Sequence, residues 1–66
     1  MALSEKERKI WREAHDKAYK AAYGEKYAEI MADDPDFPEK EARINASDYA
    51  KEIADGAAED AVKSSR

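Results

Sequence analysis

Six consecutive residues, Asp33-Asp34-Pro35-Asp36-Phe37-Pro38, limit what the rest of this chain can fold into. Proline has no amide hydrogen and its ring collides with the preceding helical turn. Two prolines among three aspartates therefore end a helix and favour a turn. The chain has no other proline. On either side lies a long segment rich in alanine and charge, interrupted only by Gly24 and Gly56. No stretch alternates apolar and polar residues as a strand would. The expected organisation is a single all-α hairpin over residues 1–66, with helices at about 5–32 and 38–63 around a turn at 33–37.

The termini of both segments agree. Ser4 followed by Glu7 has the capping-box spacing, in which the hydroxyl takes the Glu7 amide and the carboxylate reaches back. Asp36 followed by Glu39 has a similar shape, with Pro38 in the first turn, where a missing N–H does no harm. Acid-to-base pairs four apart (Glu5–Lys9, Glu13–Lys17, Asp16–Lys20, Glu39–Arg43, Glu59–Lys63) each add a few tenths of a kcal/mol to a helix.

Apolar side chains are scarce, and fourteen of them are alanine. A hairpin with so thin a core is marginal alone, so self-association into a four-helix bundle is expected. There is no cysteine, which excludes disulfides and thiolate metal sites. No apolar run approaches the roughly 18–20 residues that span a bilayer, and the first residues contain no secretory h-region. These features point to the cytoplasm, or to a host's cytoplasm for a phage product. Residues 1–32 carry seven basic and six acidic side chains, while residues 33–66 carry five and ten. An antiparallel hairpin then sets a weakly positive helix against a negative one.

With about 100° per residue, Leu3, Ile10, Ala14, Ala21 and Ala28 fall within about 40° of one another, and Trp11, Ala18 and Ala22 widen that face. The second helix shows a stripe of Ala42, Ala46, Tyr49, Ala50, Ile53 and Ala57. The hairpin core expected from these faces comprises Ile10, Trp11, Ala14, Ala18, Tyr49 and Ile53. Trp11 falls near Glu59, one turn beyond Gly56. Either the indole lies over that glycine or Gly56 has no packing role.

Trp11, His15, Tyr19, Tyr23 and Tyr27 recur every four residues and form a ridge that slants about 40° per step. Trp11 is continuous with the alanine face, whereas Tyr23 and Tyr27 project to its far side. Two dispositions are open. The tyrosines lie in the groove beside the second helix with hydroxyls in water, or the ridge meets a second chain. The second is preferred because aromatics and methionine concentrate at interface cores. Its partner-binding candidates are Tyr23, Tyr27, Ile30 and Met31.

Catalytic chemistry is not legible. His15 has no metal-ligating residue three or four positions away, and a contact with Glu52, Glu59 or Asp60 across the hairpin is the structural reading. No carboxylate sits in an apolar setting suited to acid–base work. The acidic turn lacks the ligand spacing and glycine of an EF-hand. No cofactor or metal is expected. The basic residues of the first helix scatter around it with acids between them, against nucleic acid. Neither helix has the strongly basic face of a membrane-surface helix.

In length and layout the chain resembles the small plasmid copy-control proteins that dimerise as two-helix hairpins, without their basic RNA-facing surface. The expected function is a non-enzymatic protein–protein interaction module: an adaptor, regulator or inhibitor of a larger protein. Phage and mobile elements encode small acidic chains of this type, including inhibitors of bacterial defence. The alternative is a dimeric nucleic-acid-binding regulator, distinguished by a gel shift that collapses with salt.

Overall fold

In the computed structural model, which describes residues 3–66, the first helix starts where its capping box places it. Residues 1–2 of the expected hairpin lie outside the described residues. Ser4 Oγ accepts the Glu7 amide at 3.1 Å and Glu7 Oε1 accepts the Ser4 amide at 3.1 Å, so two otherwise orphaned donors are satisfied. Helix α1 runs Glu5–Asp33 and helix α2 runs Glu39–Ser64, with no strand among the described residues. The two pack antiparallel into a rod of 45 × 17 × 13 Å. Neither is long and apolar enough to cross a membrane.

The reversal differs from the expected second cap. Pro38 is the N-cap of α2 and no side chain bonds there. The helix begins at Glu39, so Asp36 sits two residues before the cap and cannot reach the free amides. Asp34 organises the turn instead. Its carboxylate accepts the Asp36 amide at 3.1 Å and its carbonyl accepts the Phe37 amide at 2.9 Å, an Asx-type turn. Of the expected pairs four apart, Asp16–Lys20 closes at 3.2 Å and Glu39–Arg43 at 2.7 Å.

The seam between the helices has a period of four. On α2, Ala42, Ala46, Ala50, Ala54 and Ala58 are fully buried and Val62 nearly so. On α1 the inward side is two adjacent rows. One is Ile10, Ala14, Ala18, Ala22, Lys26 and Ile30; the other is Trp11, His15, Tyr19, Tyr23, Tyr27 and Met31. All are half-buried except Ala22, which is buried. A spacing of four outruns the 3.6 residues of a helical turn, so the seam drifts about 40° per step around each helix.

This drift corrects the expected core. Stripes drawn at fixed azimuth carried Tyr49 and Ile53 inward, but they are 39% and 44% exposed. Ala21 and Ala28 also face solvent, while Ala54 and Ala58, outside the expected stripe, are buried. Shape decides between the two arrangements. The largest side chains of α1 stand every four residues, and the only matching run of small ones on α2 is its alanine row. Setting the ridge into that groove brings the backbones close and fills the space between them. No side chain larger than alanine is fully buried among the described residues.

Candidate interaction surfaces

The aromatic ridge is a continuous ladder. Ring centroids are separated by 4.6 Å for Trp11–His15, 6.2 Å for His15–Tyr19, 6.0 Å for Tyr19–Tyr23 and 6.2 Å for Tyr23–Tyr27. Interplanar angles lie between 7° and 22°. The rings are thus stacked with near-parallel planes along one side of α1. The spacing arises from the helix, which sets residues four apart on one side.

The polar tips of this ladder reach α2. Tyr19 Oη lies 2.8 Å from Ser47 Oγ, His15 Nε2 lies 3.0 Å from Asp55 Oδ1, and the Tyr27 hydroxyl donates to Glu39 at 3.5 Å. Glu39, Ser47 and Asp55 stand eight residues apart, on the α2 row adjoining one side of the alanine row. The His15 partner is therefore Asp55 and not Glu52, Glu59 or Asp60. At the open end, Arg66 Nε donates to Glu7 Oε2 at 2.8 Å. That guanidinium, followed by the Ser4 amide, holds the Glu7 carboxyl below its ordinary value.

Across the seam the other side is different. Its α2 row reads Asn45, Tyr49, Ile53, Ala57 and Ala61, on the side of the seam where α1 carries Ile10, Ala14, Ala18 and Lys26. The Lys26 ammonium lies 5.3 Å from the Tyr49 ring centroid. No side-chain hydrogen bond joins the helices on this side among the described residues.

The sequence-derived candidates divide accordingly. Ile10, Trp11, Ala14 and Ala18 are half-buried along the seam. Tyr23, Tyr27, Ile30 and Met31 are half-buried against α2 rather than standing on the far side of α1. What stays open beside Tyr23 is a cleft of about 470 Å³ lined by Tyr19, Tyr23, Arg43, Ile44, Ser47 and Asp48. Ile44, 52% exposed, was missed by the sequence reading. The signal that would have found it is the four-residue alanine row, which puts position 44 opposite the seam. A second cleft, about 240 Å³, lies at the open end among Leu3, Trp11, Glu59, Val62, Lys63 and Arg66. Trp11 thus neighbours Glu59 as expected, but a Cβ added at Gly56 would meet nothing within 4 Å, so no indole covers that glycine.

No group of three or more histidine or carboxylate side chains converges as a metal site among the described residues. The fold and surfaces define a two-helix hairpin with partly open apolar flanks. No family model, curated protein or solved structure matches the chain.

Proposed function

We propose that this chain is a non-enzymatic protein–protein interaction module that pairs with a second copy as a four-helix bundle and acts as an adaptor, regulator or inhibitor of a larger protein. One observation carries the reading. Among the described residues, the large apolar side chains that stand exposed, Ile44, Tyr49 and Ile53, all lie on α2, while the seam fully buries only alanines. A hairpin with so little enclosed apolar volume gains by covering those side chains.

The larger partner is assigned to the cleft that joins Tyr23 to Ile44. Tyrosine suits such a surface because it offers a broad face with only two side-chain torsions. A nucleic-acid partner has less support. Lys6, Arg8, Lys9 and Arg12 share an open surface with Glu5 and Glu13, so acids interrupt the charge a phosphate backbone would need.

The test is capture of a partner from the native host, followed by its affinity for the Tyr23→Ala, Ile44→Asp variant. A loss of about 2 kcal/mol is expected if the two are interface anchors, with the helical circular dichroism retained. Unchanged affinity refutes the assignment of the cleft.

A further inference from the structure

We infer that the Tyr49–Ile53 side of the hairpin is the surface that receives a second copy of this chain, and that the two-fold axis runs parallel to the helices so that α1 packs on the partner's α2. This rests on the reading of the chain as a paired bundle. It adds which face mates and in which orientation.

The two sides of the seam are chemically opposite. On one, Tyr19, His15 and Tyr27 extend hydroxyl and imidazole groups to Ser47, Asp55 and Glu39, and those contacts complete the hairpin internally. On the other, Ile10, Ala14, Ala18, Tyr49, Ile53 and Ala57 form an apolar strip. Its two large α2 members are 39% and 44% exposed. The small residues on both helices would let a second pair of helices approach closely across it.

Charge selects the occupant and its orientation. The next α1 row outward reads Lys9, Glu13, Lys17 and Ala21 beside Ile10–Ala18, then Glu25 and Glu29 beyond it. The next α2 row outward begins with Ile44 and Asp48, which line the Tyr23 cleft, and continues beside the strip as Glu52, Gly56 and Asp60. All are exposed. Over the stretch Lys9–Lys17 the α1 edge of the strip is therefore basic on balance, and the α2 edge is acidic. The hairpin's own ion pairs among the described residues are His15–Asp55, Asp16–Lys20, Lys26–Glu29, Glu39–Arg43 and Glu7–Arg66. None of them uses Lys9, Lys17, Asp48, Glu52 or Asp60. A two-fold parallel to the helices lays each basic edge along the partner's acidic edge, and does so twice by symmetry. A two-fold perpendicular to the helices within the interface would set α1 on α1 and α2 on α2, with like charges facing. Charge complementarity of this kind fixes partner and register.

Sedimentation equilibrium of the full chain at tens of micromolar tests this, with a mass near twice 7.5 kDa expected for the wild type. Ile53→Asp should give a monomer with its helical circular dichroism retained at low temperature. The Lys9→Glu, Lys17→Glu variant and the Glu52→Lys, Asp60→Lys variant should each self-associate about tenfold more weakly or worse at low salt. Mixed in equal amounts, they should recover a heterodimer, because each basic edge then meets an acidic one. A wild type that stays monomeric overturns the pairing itself. A wild-type dimer indifferent to Ile53→Asp and to both charge reversals overturns this face while leaving pairing intact. A dimer broken by Ile53→Asp but weakened by neither charge reversal overturns the parallel two-fold, because a perpendicular axis already sets like edges together in the wild type.

Discussion

Replacing Ala54 by leucine separates the observed seam from the one that a fixed-azimuth stripe predicts. Ala54 is fully buried, although that stripe runs through Ile53 and Ala57 and omits it. The leucine adds three carbons where the alanine row receives the aromatic ladder, one residue from the Asp55 that holds His15 at 3.0 Å. Overpacking a closed contact of this kind costs about 1–3 kcal/mol. The same change at Ala57, half-buried on the flank, should stay within about 0.5 kcal/mol. For a domain of this size each kcal/mol moves Tm by about 4–8 °C, so Ala54→Leu should lower it by about 4–24 °C and Ala57→Leu by a few degrees at most. Thermal melts followed by circular dichroism are the assay. Because Ala57 lies within the proposed interface between copies, both variants must be compared at several matched concentrations. Equal melting temperatures, or a larger loss at Ala57, would refute the four-residue seam.

Two further outcomes follow from the same geometry. Gly24 and Gly56 lie inside helices without positive φ, and a Cβ at either would meet nothing within 4 Å. Gly24→Ala and Gly56→Ala should each stabilise by about 1 kcal/mol. Being far apart they should add, visible as successive rises in Tm. The Glu7 carboxyl is held below its ordinary value of 4.5 by Arg66 and the Ser4 amide. A depressed folded value means stabilisation that is full above the ordinary carboxylate range and is lost as pH falls through and below it. The wild type should therefore lose stability on acidification more steeply than Glu7→Gln; parallel acid limbs in denaturant titrations would contradict this.

The helices, the first cap and the position of the turn were legible in the sequence because each rests on local chemistry. Two prolines stop a helix wherever they stand, and Ser4 with Glu7 makes its cap without help from the rest of the chain. The second cap was less legible. Asp36 and Glu39 have the right spacing, yet Pro38 starts α2 too late for Asp36 to reach it. The seam was least legible. Alanines recur on the first helix at Ala14, Ala21 and Ala28, a spacing of seven, and at Ala14, Ala18 and Ala22, a spacing of four. Helical periodicity admits both. Only the volume of the facing side chains, a property of the pair of helices, favours the second. The ridge from Trp11 to Tyr27 was recognised as a unit, but its place against α2 depended on that choice of seam.

A seam of alanines every four residues has a further consequence. Sliding α2 by four residues along α1 would lay rings on alanines just as before, so the apolar contact does not specify its own register. The polar tips do. After such a slide Tyr19 would face Arg43 or Lys51 in place of Ser47, and His15 would face Lys51 or Glu59 in place of Asp55. One of those exchanges sets an ammonium against the imidazole, and each of them puts a longer charged side chain where the short Ser47 or Asp55 now closes the bond. The short turn adds a second constraint, since Asp34 bonds both Asp36 and Phe37 and leaves no slack for a one-turn shift. Register is thus fixed on one side of the seam by directional bonds and at one end by the loop. The opposite side contributes Tyr49, Ile53 and alanines, where Lys26 lies over the Tyr49 ring and no directional hydrogen bond joins the helices among the described residues. Side chains that neither complete the core nor set its register are the ones left available for binding another chain.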